Sequence, residues 1–166
     1  MFELKRLSKA AVPAALEKAQ RYRLLNEPLE AESICLDVLE VEPENQRALT
    51  TLLLALTDQF EERLAEAVPR AREVLERLRD PYGQAYYEGL VAERKAKAQL
   101  RRGGLGAPHA VYEGLHRAMA CFERAAALRP TGDDEALLRW NTCARLLMSH
   151  RELVPAPPDA GEQMLE

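Results

Sequence analysis

The 166-residue sequence predicts an all-α fold of about seven helices, arranged as stacked antiparallel hairpins. Three observations carry this expectation. The first is composition: 47% of residues are hydrophobic but only 5% are aromatic, so the core must be built from Leu, Ala and Val. Abundant alanine and leucine favour helix over strand. The second is that apolar residues recur at helical spacing between proline- and glycine-marked breaks. The third is a repeated pattern. Ala31, Cys35, Val38 and Pro43 have the same spacing as Ala118, Phe122, Ala125 and Pro130. A helix places the first three of each set on one stripe, and the proline stops the chain from continuing that helix. Ala71, Leu75 and Leu78 form a middle copy without a proline at the matching distance.

Residues 1–11 read as an irregular lead-in. Pro13 suits the first turn of a helix, where a missing N–H costs little, and this helix runs to about Leu25 with Leu16, Ala19, Tyr22 and Arg23 at helical spacing. Asn26, Glu27 and Pro28 form a tight turn, because asparagine tolerates the left-handed backbone such a turn needs. The second helix, about Leu29 to Val41, buries Ala31, Cys35, Val38 and Leu39, and Pro43, Glu44 and Asn45 end it. The third, about Gln46 to Gln59, is apolar over a wide arc through Leu49, Leu52, Leu53 and Leu56, so it should be central. Pro69 interrupts the fourth, which either starts near the proline or kinks there. It ends at Asp80 and Pro81. The fifth runs from about Tyr82 to Arg102, with Tyr86, Tyr87, Leu90 and Val91 inward. Gly103 to His109 read as a flexible loop. The sixth spans about Ala110 to Leu128. Asp133 and Asp134 can cap a seventh, about Glu135 to His150, in which Leu137, Leu138, Trp140, Cys143, Leu146 and Leu147 make a broad apolar face. Residues 153–166 are Pro- and acid-rich and read as a disordered tail.

Net charge is −4, too mild to favour nucleic acid as a partner, but its distribution is uneven. Residues 31–66 carry nine acids against two bases, and residues 67–102 carry nine bases against five acids. Such a split can orient a partner or neutralise itself between neighbouring helices. Nucleic-acid binding through 67–102 would be strongly salt-dependent. No apolar run is longer than Leu52–Leu56, far short of a membrane span. Met1 to Ala15 holds Lys5, Arg6 and Lys9 but no apolar stretch of the signal-peptide kind. The reading is therefore a cytoplasmic protein with no membrane partner. Cys35, Cys121 and Cys143 are odd in number, widely spaced and set among apolar residues, which points to reduced core thiols.

The stripe-plus-proline pattern resembles the second helix of a tetratricopeptide repeat, a helix–turn–helix unit of about 34 residues. Residues 12–45 match through Ala19, Tyr22, Asn26, Ala31 and Pro43, with Cys35 where a bulky aromatic is usual. Residues 46–80 match through Leu49, Leu52, Leu56, Ala71, Leu75 and Leu78. Residues 84–130 match most strongly at Ala118, Phe122, Ala125 and Pro130. Ala71 lies 40 residues after Ala31, and Ala118 lies 47 after Ala71, so two insertions are implied, around Phe60–Pro69 and Gly103–His109. The resemblance implies a right-handed superhelical stack over 12–152, with the seventh helix (135–150) as a cap. It also implies a concave face lined by the first helix of each pair, which binds a partner's peptide or helix. By analogy that lining includes Gln20, Arg23, Arg47, Thr50, Leu54, Thr57, Asp58, Glu88 and Lys95. The lysines and asparagines with which the best-known members clamp a terminal carboxylate are replaced here by Leu16, Gln20, Thr51, Ala85 and Gly89. A chaperone's acidic tail is therefore not the expected ligand.

No residue pattern argues for catalysis or a cofactor. Glu113 and His116 share a helix face as in half of a di-iron site, but neither His109 nor His150 follows a glutamate by three. Gly103-Gly104-Leu105-Gly106 lacks the lysine and Ser/Thr of a phosphate loop. The expectation is a non-enzymatic interaction module or scaffold. A small acidic chaperone for one client is the alternative, and a metal-dependent protein using Glu113 and His116 is a third reading. Self-association through the first or seventh helix stays open.

Overall fold

The computed structural model describes residues 1–158. Among them the fold is all-α, with seven α-helices and no strand: α1 Val12–Leu24, α2 Pro28–Val41, α3 Gln46–Thr57, α4 Phe60–Glu76, α5 Pro81–Arg102, α6 Ala107–Leu128 and α7 Glu135–Ser149. Residues 1–8 have no regular secondary structure, and Lys9–Ala11 form one 3-10 turn. Of the segment read as a disordered tail, residues 159–166 lie outside the described residues. Its first residue, Leu153, is buried against the α6–α7 core, and the Val154 carbonyl accepts a hydrogen bond from His109 Nδ1 at 3.0 Å.

Local chemistry sets the ends of these helices. Asn26 takes a left-handed φ of 60°, and the amides of Asn26 and Glu27 bond back to Arg23 and Tyr22, which satisfies the last carbonyls of α1. Pro28 then opens α2. Asn45 Oδ1 accepts from the Ala48 amide at 2.9 Å and caps α3. Asp80 does the same for α5 through Gly83 at 3.0 Å. At α7 the bond comes from Asp133, which accepts from the Glu135 amide at 3.0 Å, while Asp134 makes no capping bond.

Two expectations shift. The fourth helix is continuous through Pro69, and its break lies at Arg63 (φ −132°, ψ 40°), six residues earlier. The proline removes the bond to the Ala65 carbonyl and crowds it, yet the turn containing it stays helical. Leu75 is only half-buried, because Val74 takes the inward position beside Ala71 and Leu78. The expected loop 103–109 is also shorter. Only Gly103–Gly106 lie outside helices, and Pro108 is accommodated in the first turn of α6.

Each helix packs on the next in sequence. In addition, α1 touches α3, α3 touches α5 and α5 touches α7, and no comparable contact joins α2, α4 and α6. Two apolar cores result. The larger holds α1 to α4 and takes Val91 and Ala98 from α5. The smaller lies between α5, α6 and α7 and is centred on Leu115, Ala118, Phe122 and Cys143. Helix α5 therefore belongs to both. The Ala31–Cys35–Val38 and Ala118–Phe122–Ala125 stripes are each fully buried, one in each core. Tyr86 and Tyr87 are both half-buried, because α5 turns one to each side of the junction.

The tightest point of the smaller core is Gly89. A Cβ there would stand 2.7 Å from Cε1 of Phe122 and 3.1 Å from Cβ of Cys121. The Phe122 ring is fully buried and has no room to retreat. Gly89→Ala is therefore expected to lower stability by about 1–2 kcal/mol, the overpacking cost exceeding the gain of about 1 kcal/mol in helix propensity. Urea unfolding checks this, and equal or greater stability would contradict the packing described.

Candidate functional site

The residues expected to line one binding face are divided by the structure into three groups. Gln20, Arg23, Arg47, Thr50 and Leu54 come together, with Gln46, Thr51 and Tyr87, around a groove of about 390 Å³ between α1, α3 and α5. The i, i+3, i+4, i+7 relation of Arg47, Thr50, Thr51 and Leu54 puts one stripe of α3 into it. Arg47 donates to Gln20 Oε1 at 3.3 Å and spans the groove from α3 to α1.

Thr57 and Asp58 form the second group, and their polar atoms are already engaged. Thr57 is buried; its hydroxyl donates to the Leu54 carbonyl at 2.8 Å and accepts from Arg94 at 2.7 Å. Asp58 accepts from Arg23 Nε at 2.7 Å and from Arg94 at 2.5 Å. One carboxylate at the end of α3 thus ties α1 to α5. Its side chain and both arginines are about a fifth to a quarter exposed, so the charges are only partly screened.

Glu88 and Lys95 make up the third group and sit elsewhere. They line a larger groove, about 610 Å³, between α4, α5 and α6. Glu88 pairs there with Arg124 at 2.7 Å. Glu113 and His116 line the same groove, and the His116 ring stands 4.3 Å from that of Tyr112. Among the described residues no cluster of three or more His, Cys, Asp or Glu side chains is arranged to hold a metal, and no helix is long and apolar enough to cross a membrane.

The charge split resolves into ion pairs between the two blocks. Glu32 pairs with Arg70, Glu44 with Arg79, Asp58 with Arg94 and Glu61 with Arg101. Each joins an acid of residues 31–66 to a base of residues 67–102. Glu93, one of the acids in the basic block, is fully buried. Its Oε1 pairs with Lys97 and accepts from Arg139 of α7 at 3.3 Å, while Oε2 has no donor among the described residues. The sequence reading did not single out Glu93. The signal available was a lone acid between Ala92 and Arg94 with a lysine four residues on, a spacing that also suits an ordinary surface pair.

No protein-family model matches the chain, and no curated protein or solved structure matches it.

The three thiols are buried and free. Burial pushes Cys35 and Cys143 up to about 12 and raises Cys121 as well, so none supplies a thiolate nucleophile near neutral pH. Native protein at pH 8 should resist maleimide labelling and react at all three cysteines once unfolded. Rapid native labelling at any of them would contradict their burial. The native pKa values exceed the unfolded value of 9.0, so above about pH 9 the unfolded thiols lose protons that the native ones keep. Stability should fall as pH rises through that range. Glu93→Gln should loosen α7 selectively: its amides should exchange about tenfold faster, while those of α1–α3 are unchanged. Uniform acceleration, or none, would contradict the local role of Glu93.

Proposed function

We propose that this chain is a non-enzymatic protein-interaction module, a stack of tetratricopeptide-like hairpins that receives a segment of a partner protein in the groove between α1, α3 and α5. The observation that carries the reading is the groove's lining. Thr50, Arg47 and Tyr87 bring hydrogen-bonding groups to an open cleft beside the half-buried Leu54. A cleft with a few directional polar groups around an apolar contact suits a peptide segment better than a reacting centre. No nucleophile with an adjacent base, and no activated thiol, stands in it.

Two features support the hairpin-stack reading. Helices α1, α3, α5 and α7 meet each other in alternation, as the first helices of successive hairpins would. The ion pairs also join residues one hairpin apart: 35 residues separate Arg23 from Asp58, and 36 separate Asp58 from Arg94. Helix α7 then follows the third hairpin, tied to α5 by Glu93 and to α6 by the indole of Trp140, which donates to Glu123 at 2.9 Å.

A photo-crosslinking residue at Thr50 tests the proposal in extract from the source organism. It should capture a defined protein, and Leu54→Arg in the same chain should reduce capture at least about tenfold by charging the cleft floor, with the helical content unchanged. The same crosslinker at Arg129, exposed just beyond α6 and away from the groove, should capture nothing in common. Identical products from both positions, or none from Thr50, would contradict the reading.

A further inference from the structure

The basic block leaves two charges over, and both open into the groove between α4, α5 and α6. Arg70, Arg79, Arg94, Lys97 and Arg101 each hold a carboxylate. Arg77 and Arg102 donate to the carbonyls of Pro43 and Glu61. Arg72 and Lys95 have no partner among the described residues. They face the groove together with Arg117 of α6, which is likewise unpaired.

The groove exists because α4 and α6 do not close over α5. Val91 and Ala92 of α5 and the half-buried Leu75 of α4 give it an apolar floor, and Lys95 stands among them. Its walls are helix interiors, whose backbone N–H and C=O groups are already bonded along each helix. An extended peptide would find no main-chain partners there, whereas a helix satisfies its own backbone and needs only side-chain contact. Glu76 and Glu113 also reach the groove unpaired, but three bases outnumber them, and Glu88 is neutralised by Arg124.

We infer that this outer groove is a second interaction surface, and that its occupant is an amphipathic partner helix carrying a carboxylate within its apolar stripe. The apolar side chains of that helix cover Leu75, Val91 and Ala92, and the carboxylate meets the Lys95 ammonium, flanked by Arg72 and Arg117. Burying a lysine among apolar groups is tolerable only when it is paired. The inference does not depend on the α1–α3–α5 groove.

A fluorescent model helix of about 18 residues, long enough to hold a helix in water, tests it. Its stripe is leucine with one central glutamate, and a companion peptide has lysine there instead. The full-length chain should bind the glutamate peptide at least about tenfold more tightly than the lysine peptide. Lys95→Glu should reverse that preference, which a merely misfolded variant would not do. Arg47→Glu, in the other groove, should leave both affinities unchanged. The inference is overturned if the glutamate peptide does not bind, if Lys95→Glu leaves the preference in place, or if Arg47→Glu abolishes it. It is also overturned if a central proline that breaks the peptide's helix leaves the affinity intact, or if a single-stranded oligonucleotide competes at lower concentration than the peptide.

Discussion

A charge placed about one hairpin further along the chain ties each pair of helices to the next. Glu32 and Arg70 are 38 residues apart, Glu44 and Arg79 are 35, Asp58 and Arg94 are 36, and Glu88 and Arg124 are 36. Apolar stripes alone would let stacked helices slide, because burial is non-directional. Paired charges at a fixed offset resist sliding, since a shift of one turn would part them. Asp58 does most in this scheme. It holds α1 and α5 at once, on the side where α1, α3 and α5 meet, and Thr57 accepts a further bond from Arg94. Exposed pairs such as Glu44–Arg79 contribute little, about 0–1 kcal/mol each. Partly buried hydrogen-bonded charges contribute more, on the order of 1.5–3 kcal/mol.

Much of the fold was legible because the breaks between helices are local chemistry. Asn26 in a left-handed turn, Pro13 at the start of α1, and the breaks at Asn45 and at Asp80–Pro81 all act within a few residues, whereas Pro108, read as loop, opens α6. The alanine stripes were legible too, since only small residues let helices approach so closely. What local chemistry could not reveal were side chains whose role depends on a residue some 35 positions away. The split between acidic and basic blocks was visible, but whether it faced a partner or itself required the packing. Glu93 shows the same limit: its burial is imposed by α7, a helix that begins over 40 residues later. The exchange of Leu75 for Val74 in the core is a rotation of less than one helical step, below what a stripe of three residues can define.

The candidate site was half legible for the same reason. The α3 positions Arg47, Thr50 and Leu54, which the resemblance implied, share one helical stripe and meet α1 in one groove. Glu88 and Lys95 were assigned to the same face on α5, but α5 packs against α3, α4, α6 and α7, and those two positions turn towards α4 and α6. Thr57 and Asp58 turned out to bind the protein itself. The chain's central charges therefore hold its helices to one another, and the groups left unengaged are those at the groove edges. Both grooves inherit their shape from this. One opens where α1, α3 and α5 are clasped by Asp58, the other where α4 and α6 are held apart across α5.

A double-mutant cycle on Asp58→Asn and Arg94→Gln, read by urea unfolding, tests the dependence of the helix packing on these pairs most directly. The two changes should be strongly non-additive, with a coupling of at least about 1 kcal/mol, because removing either partner already breaks the Asp58–Arg94 link. Additivity within about 0.3–0.5 kcal/mol would contradict the account, leaving apolar burial alone to hold the hairpins in place.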